Sequence, residues 1–166
     1  LLQSLLQSDM QFAGIDTQLQ LVYAAMDQRL FGSQTSWNGK TSVDLLEEVV
    51  GSFSSVPHIP GTHFHTKFEH FLNYGAGYYS YLYARVVAAH VWRKCFHADP
   101  LSREVGERWR DVVLSNGNAK DPLRMLEDMT GEPFVYADLV EELYSASFSS
   151  GDDGMKPGAP LALLKP

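Results

Sequence analysis

The chain reads as all-α, and three observations predict it. Apolar residues recur every three or four positions along most of the chain. No stretch alternates apolar and polar residues for long enough to make a strand. Helix starts and stops are written in capping residues, proline and glycine, most plainly in Asp121-Pro122 and the later Gly131.

The elements follow in order. Asp16-Thr17 opens a first helix, with Thr17 and Gln20 spaced as a capping box. Leu19, Tyr23, Met26 and Leu30 form its apolar stripe, and Gly32 ends it. Residues 33–40 read as a loop. Ser42 caps a second helix whose apolar face is Leu45, Leu46, Val49, Val50 and Phe53. Residues 54–62, with Pro57, Pro60 and Gly61, form a second loop. A short helix through Phe68, Phe71 and Leu72 leads to the bend Asn73-Tyr74-Gly75-Ala76-Gly77. Residues 78–96 are aromatic and apolar nearly all round, so a buried helix is expected there, stopped by Pro100. Ser102 caps a helix through Val105, Trp109, Val112 and Val113, closed by Asn116-Gly117. Asp121-Pro122 starts the next, and Gly131 ends it. A last helix is expected within residues 133–148, carrying Leu139, Val140, Leu143 and Tyr144. Residues 149–166 hold Gly151, Gly154, Pro157, Gly158 and Pro160, the composition of a flexible tail. The expected division is therefore a helical unit over 1–148 and a tail over 149–166.

Composition narrows the function classes. At 166 residues the chain fits one domain or a large piece of one. The net charge is −7, and the 13 lysines and arginines form no block, which speaks against a nucleic-acid partner. No apolar run reaches the ~20 residues of a membrane helix. The single cysteine, Cys95, rules out an internal disulfide. Residue 1 is Leu, and residues 1–8 lack the basic start of a signal peptide. The chain is thus expected to be trimmed, processed or a fragment.

Several reaction types lack their residues. None of the six histidines is followed by Glu, so the H-E-x-x-H zinc motif is absent. There is no G-x-S-x-G elbow and no P-loop. His63-x-His65 with His70 has a spacing that could share a metal ion, but histidines of a solvent-facing or ligand-facing loop are the plainer reading. Cys95 has Lys94 and His97 beside it, which would favour a thiolate, yet it sits within an expected buried helix, where packing is its ordinary role. Asp152-Asp153 lacks the alternating oxygen ligands of a calcium loop.

The informative segment is Phe68-Glu69-His70-Phe71-Leu72-Asn73-Tyr74-Gly75-Ala76-Gly77-Tyr78-Tyr79-Ser80-Tyr81-Leu82. Gly75 and Gly77 permit positive φ and close approach of a ligand. Tyr78 and Tyr81, three apart, share a helix face. Phenol hydroxyls converging on one point can hold a carbonyl oxygen as charge develops on it, or grip a peptide backbone. An aromatic core flanking a turn, with hydroxyls satisfied locally, explains the same residues.

Gly61-Thr62-His63-Phe64, Phe68-x-His70-Phe71-Leu72-x-Tyr74-Gly75-Ala76-x-Tyr78-Tyr79-Ser80-Tyr81-Leu82 and the flanking segments closely resemble the C-terminal part of the thimet oligopeptidase family of zinc metallopeptidases. Those flanks are Thr17-Gln18-Leu19-Gln20-Leu21-Val22-Tyr23-Ala24-Ala25-Met26-Asp27-Gln28 upstream, and Val91-Trp92-Arg93-Lys94-Cys95-Phe96, Gly106-Glu107-Arg108-Trp109-Arg110 and Gly117-x-x-Lys120-Asp121-Pro122 downstream. The resemblance covers about residues 16–143, and the form of the bend is similar to the family's mitochondrial branch. It implies an almost wholly helical, two-lobed catalytic domain around a deep channel, of which this chain would be the last part. His70 and Tyr81 would then help hold the scissile carbonyl and stabilise the tetrahedral intermediate. Tyr74, Gly75 and Gly77 would contact substrate backbone, and Tyr78 would position substrate. Zinc would be the cofactor of the complete enzyme, with its ligands upstream of this chain and none within it. The implied activity is removal of short N-terminal peptides from imported precursor proteins in the mitochondrial matrix. The implied partners are a peptide or precursor substrate and whatever covers the exposed helical face: the missing N-terminal part or a partner chain. A shortened, inactive paralogue serving as a structural or peptide-binding subunit of a larger complex is the alternative.

Overall fold

The computed structural model describes residues 4, 8, 11–33 and 37–135. The tail over 149–166, residues 136–148 of the expected last helix and most of residues 1–8 lie outside the described residues. Within them the architecture is all helical, with no strand. The α-helices are α1 Ala13–Phe31, α2 Ser42–Phe53, α3 Glu69–Asn73, α4 Ser80–Val91, α5 Arg103–Val112 and α6 Pro122–Thr130. Two 3₁₀ turns, Phe64–Thr66 and Leu114–Asn116, and a π-helical turn, Trp92–Phe96, complete the order.

Helix α1 begins earlier than the sequence suggests. Its N-cap is Phe12, which makes no side-chain cap. Thr17 therefore lies inside the helix, where its hydroxyl bonds back to the Ala13 carbonyl at 2.8 Å instead of capping. The buried stripe is also rotated: Val22, Ala24, Met26 and Asp27 are buried, while Leu19 is exposed. Helix α2 starts one residue from the expected cap. Thr41 is the N-cap, and its hydroxyl and backbone N–H pair with Asp44 in a reciprocal capping box. These hydrogen bonds hold the Asp44 carboxyl below the usual carboxylate range. The two later caps stand as expected. The Ser102 hydroxyl accepts from the Val105 N–H, and Asp121 accepts from Leu123 and Arg124 ahead of Pro122. Gly131 closes α6 in left-handed backbone.

The helices pack around two main clusters. Val22 and Met26 of α1, Leu45, Leu46, Val49 and Val50 of α2, and Phe71 of α3 form the first, with Trp37 and Phe68 against it. Val91, Leu126 and Met129 form the second, with Cys95, Phe96, Val105 and Trp109 against it. Removing a side chain such as Leu46 to Ala from the first cluster should cost about 2–5 kcal/mol. Helix α4 joins the two. Its first half packs on α1 through Leu82 beside Tyr78 and Ala24, and its second half reaches α6 through Val91.

The expectation of a buried helix over 78–96 holds for one side of it only. In α4 only Leu82, Val86, His90 and Val91 are buried, while Tyr79, Tyr81 and Trp92 expose much of their rings. The reason is geometric: α1 and α6 pack on the helix through Leu82 and Val91, and only that side is buried. The helix also changes register at Trp92, where the His97 N–H reaches back to the Trp92 carbonyl at 2.8 Å in the wider π pattern. Phe53 and Leu72, expected on apolar faces, are likewise exposed.

Candidate functional site

The site is built where α1, α3 and the start of α4 meet. Helix α3 is one short stretch, and it sets His70 and Tyr74 one turn apart, with the Tyr74 N–H on the His70 carbonyl at 2.9 Å. Beyond it the chain reverses. Gly75 and Ala76 both take positive φ, +41° and +63°, a conformation glycine adopts freely and alanine does not. Gly77 is required for a different reason. A Cβ there would lie 2.9 Å from the Tyr74 carbonyl oxygen, so the bend folds back on itself only if residue 77 has no side chain. The chain then enters α4, returning Tyr78 and Tyr81 to the side of Tyr74.

The result is an aromatic box around one imidazole. The His70 ring stacks on Phe68 at 4.9 Å and on Tyr74 at 5.5 Å, and meets the edges of Tyr78 and Tyr81 at 5.7 and 6.1 Å. The Tyr81 hydroxyl donates to the Tyr74 hydroxyl at 3.2 Å. That hydrogen bond, first among the causes, raises the Tyr81 phenol above its ordinary value, so it stays a protonated donor at neutral pH. Both rings are exposed. Two phenol protons can therefore turn toward one entering oxygen, because a hydroxyl hydrogen rotates at little cost.

Tyr78 differs from its neighbours. It is buried, and its hydroxyl donates to the Gln20 side-chain oxygen at 3.1 Å. Burial, the leading cause, pushes its phenol up. Its ring packs 4.9 Å from Tyr81 and 5.6 Å from Tyr23. Of the predicted site residues, His70, Tyr74, Tyr78 and Tyr81 thus form one cluster, with Gly75 and Gly77 in the bend that joins its two arms.

The histidine pair and the cysteine lie elsewhere. His63 and His65 have ring centroids 6.4 Å apart, and the His65 Nε2 is bonded to the Ser42 hydroxyl at 3.0 Å. Among the described residues no group of three or more His, Cys, Asp or Glu side chains is arranged to hold a metal ion. Cys95 points its thiol at the Met129 carbonyl, 3.5 Å away, and burial pushes that thiol up rather than toward a thiolate. An open depression of about 400 Å³, lined by Glu127, Asp128, Gly131, Glu132 and Pro133, lies apart from the aromatic box and brings no imidazole or phenol to it.

Sequence reasoning missed the residue that holds the bend. Asp27 on α1 is fully buried, and its carboxylate accepts from the N–H of Ala76 at 3.1 Å and from the N–H of Tyr78 at 2.9 Å. The neighbouring Gln28 amide donates to the Ala76 carbonyl at 2.7 Å. One signal was present in the sequence: a lone carboxylate directly after Met26 on the buried stripe, where an unpaired charge would be costly.

The same residues carry a likeness to known proteins. A family model described as peptidase family M3 matches residues 1–144. Mitochondrial intermediate peptidase of Homo sapiens is 40% identical over 133 residues, which cover 80% of this chain and 18% of that protein. The proteins of the same name from Arabidopsis thaliana and Rattus norvegicus are 41% and 39% identical over 124 and 133 residues. The chain spans less than a fifth of the length of these relatives.

Proposed function

The chain belongs to peptidase family M3, and from that membership we propose that it is the C-terminal, substrate-binding part of a zinc metalloendopeptidase. On this reading the helices form one wall of a two-lobed, channel-type catalytic domain. The reaction is the one the family resemblance implies: removal of short N-terminal peptides from precursor proteins imported into the matrix. The described residues do not fit a zinc ion, since His63 and His65 are spread apart and His65 is bonded to Ser42. On the proposed reading, the metal and its ligands belong to the upstream part of the enzyme.

The observation that carries the reading is the convergence of the Tyr74 and Tyr81 hydroxyls, 3.2 Å apart, beside the His70 ring. Tyr81 and His70 hold the carbonyl oxygen of the bond to be cut and stabilise the negative charge that gathers on it. Tyr74 and the Gly75–Gly77 bend lie along substrate backbone, and Tyr78 supports Tyr81 from below with its own hydroxyl held by Gln20. Substrate contact is open to the exposed phenols and closed to the buried one, so Tyr78 positions substrate through its neighbours.

The test is Tyr81→Phe in the complete enzyme with a peptide substrate. The ring and its packing remain, and only the donor is lost. kcat should fall by about 10²–10³-fold with little change in KM. An unchanged kcat would make the hydroxyl structural and remove the main support for the proposal.

A further inference from the structure

We propose that Asp27, with Gln28 beside it, is the positioning residue of this site, holding the glycine bend in the one conformation that brings the two tyrosine arms together. The inference rests on the reading of that cluster as a substrate-binding wall. It begins from a buried charge with a specific use. Asp27 is fully buried on α1, where a carboxylate is retained only if it is well hydrogen-bonded. Its two oxygens are spent on two backbone donors of one bend, the N–H of Ala76 and the N–H of Tyr78. These lie 49 and 51 residues away in sequence, so the contact is not a by-product of local chain geometry.

Ala76 shows why the hold is needed. It is the non-glycine residue of the bend at positive φ, +63°, which an L side chain resists. Asp27 fixes its N–H and Gln28 fixes its carbonyl, so both ends of the strained residue are tied to the same helix. Charge-assisted hydrogen bonds of this kind are stronger than neutral ones. The consequence is positional. Tyr74 precedes the clamped residue, and Tyr78 and Tyr81 follow it. Releasing Ala76 would let the two arms separate, and the 3.2 Å spacing of the Tyr74 and Tyr81 hydroxyls would be lost. Asp27 touches no part of the exposed face itself and acts through the bend.

Asp27→Asn in the complete enzyme tests this, because the amide keeps the size but presents an NH₂ to one of the two N–H donors. Hydrogen–deuterium exchange reads the clamp without reference to activity. The amides of Ala76 and Tyr78 should exchange at least about tenfold faster in the variant, while those of Leu46 and Val49 in the first core cluster stay as in the parent. Kinetics reads the positioning: kcat should fall about tenfold or more, with KM changed less. Retained protection at residues 76 and 78 overturns the clamp. Lost protection with kcat and KM both unchanged overturns the positioning role. Should Asp27→Asn fail to fold, Gln28→Ala decides, since Gln28 is exposed and its loss frees only the Ala76 carbonyl. A several-fold fall in kcat supports the inference, and unchanged kinetics overturns it. If the parent enzyme shows no peptidase activity, the functional reading fails, and the exchange result still decides whether Asp27 holds the bend.

Discussion

The bend shows at the scale of single residues how much depends on one Cβ. Ala76 and Gly77 are neighbours with opposite requirements. Ala76 carries a side chain in left-handed backbone, whereas Gly77 lies where a Cβ would press on the Tyr74 carbonyl at 2.9 Å. Ala76→Gly removes the left-handed strain but adds freedom to the unfolded chain, so stability should change by no more than about 1 kcal/mol. Gly77→Ala should destabilise by more than that and should lower kcat as well, because the clash moves Tyr74. Thermal unfolding of both variants beside the parent checks the pair. Equal effects from the two would show that the bend yields to either. The tyrosines share the same logic. Tyr74, Tyr78 and Tyr81 are alike in sequence, yet burial gives Tyr78 a fixed partner in Gln20 and leaves the other two free to meet a ligand.

At the scale of elements, a buried imidazole ties the segment between α2 and α3 back to the start of α2. His65 is buried, and its Nε2 lies 3.0 Å from the Ser42 hydroxyl in the first turn of α2. Burial, then the charges of His63 and His58, lower its pKa below the usual 6.5. A helix N-terminus adds a positive end to this surrounding, which a cationic ring resists. The unfolded chain therefore takes up the proton before the folded one does. The contribution of His65 is full well above pH 6.5 and is lost as pH falls through 6.5 toward the lower folded value. The melting temperature should drop between about pH 7.5 and about pH 5.5. His65→Gln should flatten part of that drop, and an identical pH profile in the variant would show that the ring does not sense protonation. The caps tell a complementary story. Thr41, Ser102 and Asp121 satisfy helix starts with their own side chains, while α1 starts without one at Phe12. Its stability comes from packing on α2, as is usual for helices in folded proteins.

At the scale of the whole molecule, the exposed apolar side chains are the main feature. Phe12, Ile15, Leu19 and Phe31 on and beside α1, and Tyr79, Tyr81 and Trp92 on and beside α4, lie open to solvent. The proposed reading makes these side chains a contact surface, since a contiguous apolar patch is the mark of one. On that reading, the remainder of the enzyme covers it. The 166-residue chain expressed alone should bind a hydrophobic dye strongly and self-associate. Co-expression with the rest of the enzyme should suppress both. A monomeric chain that leaves the dye unbound would mean that these side chains need no cover, and the larger-enzyme reading would lose that support. Dye binding that persists beside the rest of the enzyme would favour a different partner, as the inactive-subunit alternative requires.

The all-helical class, most helix ends and the aromatic block were legible in the chain because they are local. The period of apolar residues, a capping Ser or Asp, a Pro in the first turn and a Gly after the last act within a few positions of one another. His70, Tyr74 and Tyr81 could be singled out for the same reason, since the bend that gathers them lies within the same short segment. What the sequence could not show is what comes from far along the chain. The face that α1 buries is set by where α2 lands, so Leu19 turns outward and Asp27 inward. The open side of α4 depends on which neighbours exist, and periodicity counts apolar residues without knowing whether anything covers them. The clamp on Ala76 joins residues 49 and 51 positions apart, through hydrogen bonds that only the packed arrangement of α1 against the bend can make.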